Sequence, residues 1–283
     1  MKIYGRINEQ KLIEEILKAG SHVLLEGPVG SGKTTLALSI SNKLNRPLIR
    51  VDGDGRYTEQ NLVGSFDPKL VLAKGFIREA FIPGPLYQAM ETGEILLINE
   101  LNRMPEMVQN ILLPALDEGK IQIPVLGELK AQPGFAVIAT QNPREFIATS
   151  SLSEALLDRM EWLSIIALTE SEEIEIVKSH AGASENQVAT IVRLIRTTRS
   201  HPKIKRGASI RAAIAMAKIL KSPSEDEVEK ENREEKDKKF WAVAKAVLGN
   251  RIELEVGKFS NRPYSELLDE LLTELKLELK KKP

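Results

Sequence analysis

Apolar residues come in two patterns along the chain. Up to about residue 168 they gather in short unbroken runs; beyond it they recur every three or four positions. The first pattern suits strands buried on both faces and separated by helices. Runs at residues 23–26, 47–51, 94–100, 135–140 and 162–168 predict five strands, the third apolar throughout like a central parallel strand. Helical periodicity falls between them. Leu12, Ile13, Ile16 and Leu17 share a face that Gly20 closes, and Leu36, Ile40 and Leu44 line another over residues 34–44. Residues 86–90, 105–118 and 153–160 also read as helical. Thr58 caps a helical turn that runs toward Gly64. Residues 67–81 alternate around Lys74-Gly75, which predicts a hairpin or a strand-flanked loop. Residues 120–131 alternate through Ile121, Ile123 and Val125, with Leu126-Gly127-Glu128 as a hairpin turn. From Thr169 onward only helices are expected, at 186–199, 209–221, 240–248 and 267–279. The charged run 223–239 reads as a solvated helix face or a linker. The expected architecture is an α/β domain with a parallel sheet over residues 1–168, then a smaller all-helical domain over 169–283.

The first strand leads into Gly27-Pro28-Val29-Gly30-Ser31-Gly32-Lys33-Thr34-Thr35. Gly27 to Thr34 fits G-x-x-x-x-G-K-[ST], the phosphate-binding P-loop, in strand–turn–helix context. Glycines let successive N–H groups turn toward an anion, and the following helix adds its positive end. Lys33 is positioned for the β- and γ-phosphates of ATP or ADP, and the Thr34 hydroxyl for Mg²⁺.

Composition narrows this reading. Lysine plus arginine equals aspartate plus glutamate at 40 each, so net charge gives no general attraction to nucleic acid or an anionic membrane. There is no cysteine, which excludes disulfides and thiolate zinc sites. No apolar run approaches a membrane span, and residues 1–11 carry no signal-peptide core. A cytoplasmic protein without membrane insertion is the expectation.

A P-loop needs a carboxylate at the end of a neighbouring strand. The run over 94–100 ends in Asn99-Glu100. Glu100 is the candidate general base. Asn99 stands where a magnesium-associated aspartate is usual. It keeps that residue's shape and one acceptor oxygen but not its charge.

Further motifs follow in order: Gly5-Arg6, Leu62-Val63-Gly64-Ser65, Gly84-Pro85-Leu86, Asn99-Glu100-Leu101-Asn102-Arg103, Ala139-Thr140-Gln141-Asn142-Pro143, Leu152-Ser153-Glu154-Ala155-Leu156-Leu157-Asp158-Arg159, and Gly207-Ala208-Ser209-Ile210-Arg211-Ala212. With the P-loop, this series resembles the MoxR family of AAA+ ATPases and their CbbQ/NorQ-type relatives. The resemblance implies a P-loop αβα sandwich followed by a helical lid. Asn142 matches sensor 1, Arg159 the arginine finger that reaches a neighbouring subunit, and Arg211 sensor 2. Gly5, Arg6 and Ile7 fall where such proteins wall the adenine, and Arg103 where a second intersubunit arginine can stand. Residues 66–82 would hold the helix-2 insert, with Val71, Leu72 and Phe76 as contact residues, and 120–133 the pre-sensor-1 hairpin. The implied activity is ATP hydrolysis by a hexameric ring that remodels or activates a protein client, in some relatives together with a von Willebrand factor A domain protein. A nucleotide-assembled scaffold with little hydrolysis is the alternative that Asn99 raises.

Overall fold

The structure is a computed structural model that describes residues 3–142, 152–221, 233–255 and 263–281. It divides into two compact units, Met1–Ala167 and Leu168–Pro283. In chain order the first contains α1 (Ile7–Lys18), β1 (Val23–Glu26), α2 (Lys33–Leu44), β2 (Leu48–Asp52), α3 (Glu59–Leu62), β3 (Gly64–Phe66), α4 (Pro68–Lys74), β4 (Phe81–Pro83), α5 (Pro85–Thr92), β5 (Ile95–Asn99), α6 (Glu106–Asn110), α7 (Leu112–Asp117), β6 (Lys120–Ile123), β7 (Gly127–Lys130), β8 (Ala136–Gln141), α8 (Glu154–Leu157) and β9 (Glu161–Ser164). The second contains α9 (Glu170–Ala181), α10 (Glu185–Ser200), β10 (Ile204–Arg206), α11 (Ile210–Leu220), α12 (Arg233–Leu248), β11 (Glu253–Leu254) and α13 (Tyr264–Lys281).

Five parallel strands form the main sheet in the order β2-β5-β8-β1-β9. Their side chains alternate between two cores, as the pleat requires. Leu24, Leu96, Ile98, Val137 and Ala139 face one core, which α5, α6, α7 and α8 cover with Leu86, Met90, Val108, Leu112 and Leu156. Val23, Leu25, Ile95, Leu97 and Ile138 face the other, covered by Ile13 and Leu17 of α1 and Leu36 and Ile40 of α2. Each fully buried leucine or isoleucine here contributes roughly 2 kcal/mol. That two-sided burial is why these strands read as unbroken apolar runs.

The structure corrects the sequence reading at four places. Residues 67–81 are strand-flanked, as one expected alternative had it, but hold a helix rather than a loop or a hairpin turn: α4 lies between β3 and β4, which pair antiparallel. Asp67 caps α4 by accepting from the N–H groups of Lys69 and Leu70, and Pro68 opens the helix, so cap chemistry overrides the apolar alternation. Residues 105–118 form two helices, because Pro114 has no N–H for the Asn110 carbonyl. In the β6–β7 hairpin the turn is residues 124–126, with Val125 at φ 70°, two residues before the expected site. In the second unit β10 and β11 form a short antiparallel pair, where only helices were expected. The N-cap reading over residues 58–64 holds: Thr58 and Asn61 form a reciprocal capping box on α3. Of the charged run, residues 223–232 lie outside the described residues.

His22 fastens the start of β1 from within. Its Nδ1 accepts from the Val137 N–H at 3.0 Å, and its Nε2 lies 3.2 Å from the Leu116 carbonyl. One acceptor and one donor nitrogen define a neutral ring, and burial lowers its pKa below the ordinary histidine value. Protonation would break the Val137 bond and bury a charge. The folded pKa lies below the unfolded one, so this contribution is complete above about pH 6.5 and is lost as pH falls. The melting temperature should therefore drop between pH 7 and pH 5, by at most about 1.4 kcal/mol of stability per pH unit from this group. His22→Gln should flatten the profile; an unchanged slope would remove His22 as its source.

The second unit packs Val177, Ile191, Ile195, Met216, Leu248, Leu271 and Leu275 into one core. Glu173 is buried there, and Arg196 and Arg199 answer its charge at 2.9 and 2.7 Å. Arg199 also donates to the Ala208 carbonyl, and Thr198 accepts from the Ala208 N–H, which fixes the turn leading into α11.

Candidate active site

The C-terminal edge of the sheet gathers most of the sequence-selected residues of the first unit. Between β1 and α2, Gly32 stands at φ 89°, a left-handed angle that lets the helix begin abruptly. Gly27 packs against the end of β9, where a Cβ would come 2.2 Å from the Ile165 carbonyl oxygen. The first α2 backbone bond runs from Leu36 to the Gly32 carbonyl, so the N–H groups of Lys33, Thr34 and Thr35 have no acceptor within the helix. Pro28, Val29 and Thr35 are exposed, Gly30 turns at φ 82°, and Ser31 is buried.

Lys33 is buried beneath this loop. Its Nζ donates to the carbonyls of Gly27 at 2.7 Å and Pro28 at 3.1 Å, and to Asn142 Oδ1 at 3.0 Å. Asn142 in turn donates from Nδ2 to Glu100 Oε1 at 3.2 Å. Glu100 Oε2 is 2.6 Å from Arg103 Nε, so both carboxylate oxygens are engaged. Thr34 Oγ1 donates to Asn99 Oδ1 at 2.9 Å, and Thr140 Oγ1 donates to the same oxygen at 3.0 Å while accepting from the Glu100 N–H. Three adjacent strands, β1, β8 and β5, thus bring Lys33, Thr34, Asn99, Glu100 and Asn142 into one hydrogen-bonded cluster.

Glu100 leaves β5 in the left-handed region, φ 59° and ψ 51°, an uncommon conformation for a residue with a side chain. Its carbonyl lies against Gly53, where a Cβ would come within 2.2 Å of it.

Two neighbours escaped the sequence reading. Asp52 ends β2 beside Asn99, and its Oδ1 accepts from Asn99 Nδ2 at 2.8 Å. Arg50 chelates it and, with Asn99, holds its carboxyl below the usual carboxylate range. Thr140 ties the ends of β5 and β8 together. The signal for both was position: each polar side chain lies at or near the C-terminal end of a buried parallel strand.

The remaining candidates lie outside the cluster. Gly5 and Arg6 both have positive φ, and Ile7 is exposed. The buried Arg6 donates to the carbonyls of Ser31 at 2.8 Å and Ile166 at 2.6 Å, clamping the P-loop to the segment after β9. Arg159 donates to the Ala155 carbonyl and pairs with Asp117 at 2.9 Å. Arg211 belongs to the second unit, exposed in the first turn of α11. Pro143 lies outside the described residues. Around α4, Leu72 and Phe76 are exposed, and Phe76 meets Phe66 edge to face.

A phosphate-binding loop with a hydroxyl, an amide oxygen and two carboxylates converging at its open edge defines a P-loop nucleotide-binding protein with a magnesium-compatible oxygen set. The comparisons agree. Residues 22–160 match the AAA domain of the dynein-related subfamily. The chain is 32% identical over 219 residues to the gas vesicle ATPase GvpN1 of Halobacterium salinarum, covering 71% of this chain and 62% of that protein. It spans less than two thirds of the length of such gas vesicle relatives. An uncharacterized protein of Staphylococcus saprophyticus is 30% identical over 73% of this chain and 80% of its own length. In structure, NtrX of Brucella abortus, solved with ADP, shares the fold at a TM-score of 0.53 and 17% identity, covering 99% of this chain and 69% of its own. The chain belongs to the AAA+ ATPases, in the MoxR-like, dynein-related group. Among the described residues no helix is long and apolar enough to cross a membrane.

Proposed function

We propose that the protein binds ATP with Mg²⁺, hydrolyses it slowly, and uses the cycle within a ring, most simply a hexamer, to remodel a protein client. The observation that carries this is the single cluster joining the P-loop lysine and threonine to Asn99, Glu100 and Asn142. It brings together a carboxylate that can act as base, a polar residue that can orient water and a cation for the phosphates, the parts that phosphoryl transfer requires.

Lys33 exchanges its loop carbonyls for phosphate oxygens. Thr34 uses its proton on Asn99, so its oxygen lone pairs would be available to hold Mg²⁺. Mg²⁺, when bound, neutralises phosphate charge. Glu100 takes the proton of the attacking water once Arg103 releases it, and Asn142 keeps that water in line. Arg159 has no bond to the cluster, in keeping with action on a neighbour's nucleotide. By family resemblance Arg211 has the sensor 2 role, and the N-terminal residues Gly5, Arg6 and Ile7 border the base. The α4 insert and the β6–β7 hairpin carry the client contacts. The ATPase names of the gas vesicle relatives and the ADP of the NtrX structure support the nucleotide part. The client, with or without a von Willebrand factor A domain partner, rests on family resemblance, and a cytoplasmic location on composition.

The low-turnover scaffold remains a second reading. It is favoured by a Glu100 whose two oxygens are already engaged and by an uncharged Asn99. Binding of a fluorescent ATP analogue, particle mass with and without a slowly hydrolysed analogue, and phosphate release should be measured on the purified chain. Nucleotide-dependent rings with slow turnover are expected. Rings without turnover would select the scaffold, and no nucleotide binding would overturn both.

A further inference from the structure

Asn99 presents a puzzle in charge. Its Oδ1 does what the usual aspartate oxygen does, accepting from Thr34 Oγ1 at 2.9 Å. Its second terminal atom is an amide nitrogen, which cannot accept a bond from a metal-bound water. That nitrogen donates at 2.8 Å to Asp52 Oδ1. The pairing is built into the sheet, because β2 and β5 run parallel with Asp52 opposite Asn99 in register. Arg50, two residues before Asp52 on the same strand, grips both carboxylate oxygens and fixes their direction.

We infer that Asp52 supplies the negative charge missing at position 99, so that the magnesium-supporting carboxylate of this site is split between two strands. Asn99 provides the shape and the acceptor for Thr34, and Asp52 provides the charge through the Asn99 amide. Asp52 is a positioning residue that acts through Asn99. The donor set suits Mg²⁺: Thr34 hydroxyl, Asn99 amide oxygen and a carboxylate behind them are all hard oxygens. Asp52 is exposed and paired with Arg50, so its influence would run through the Asn99 amide it accepts from, while solvent and the guanidinium trim its longer-range field. The arrangement also bears on the obvious repair. Asn99→Asp would set a second carboxylate at hydrogen-bond distance from Asp52, replacing an attraction with a like-charge contact.

This inference rests on the nucleotide reading above, and one experiment separates their failures. Binding of a fluorescent ADP derivative is titrated in EDTA and then against Mg²⁺ for the wild type, Asp52→Asn, Asn99→Asp and the Asp52→Asn/Asn99→Asp exchange, with melting curves for each. Affinity in EDTA should be alike in all four. Asp52→Asn should raise the Mg²⁺ midpoint about tenfold, and the exchange should bring it back to within about threefold of the wild type. Asn99→Asp alone should melt below both the wild type and the exchange. An Asp52→Asn midpoint equal to the wild type, or an exchange no better than Asp52→Asn, would overturn the inference while leaving nucleotide binding intact. Absence of ADP binding in all four would overturn the nucleotide reading and this inference with it.

Discussion

Glu100→Gln lowers ATP turnover by about 10²-fold or more and leaves nucleotide affinity nearly unchanged. Glutamine keeps the length of the side chain and an oxygen for Asn142 Nδ2, so the cluster around Lys33 survives. What is lost is a group able to take a proton from water. Lys33 and Thr34 are untouched, so binding of a fluorescent ATP analogue should persist. The comparison is phosphate release against equilibrium binding in the same preparation. A variant that hydrolyses like the wild type would remove Glu100 from the role of base. One that fails to bind nucleotide would make its role structural.

Arg159→Ala should lower turnover by ~10³-fold, the range of an arginine finger, again without loss of nucleotide binding. Among the described residues of its own subunit the side chain holds the Ala155 carbonyl and the exposed Asp117, so the change should cost under about 1 kcal/mol of stability. Mixing supplies the decisive readout. In rings assembled from equal amounts of Arg159→Ala and Glu100→Gln subunits, about one head-to-tail interface in four joins an intact Glu100 to an intact Arg159. Partial recovery of hydrolysis is expected from two preparations that are each inactive. If mixed rings form and remain inactive, Arg159 does not act across the interface.

Much of this site was legible because its chemistry is local in sequence. The P-loop occupies eight consecutive residues, Gly27 to Thr34, and its strand and helix carry their own apolar periods. Glu100 could be found because it ends a run buried on both faces. What stayed hidden depends on which strands are neighbours. Asp52 and Asn99 are far apart in the chain and meet only because β2 lies beside β5 in that register. Arg159 pairs with Asp117 and not with the adjacent Asp158 for the same reason: side-chain direction is set by tertiary packing. The α4 segment was misread for a different cause. Its apolar residues are exposed or half-buried, so their spacing reports no core, while the informative signal was the Asp67-Pro68 start. The β10–β11 pair was invisible because a two-residue strand has no period to read.

The left-handed turn at Glu100 ties the history of one position to another. A side chain at residue 53 would strike the Glu100 carbonyl, whereas at Gly55, two residues on, the nearest atom is 4.0 Å away. Substitutions should therefore accumulate freely at 55 and be purged at 53, although neither glycine has a side chain with which to touch a ligand. In a population of variants, position 53 can drift only after residue 100 has abandoned its bend. A chain that has lost Gly53 would thus be expected to carry a different backbone path at residue 100.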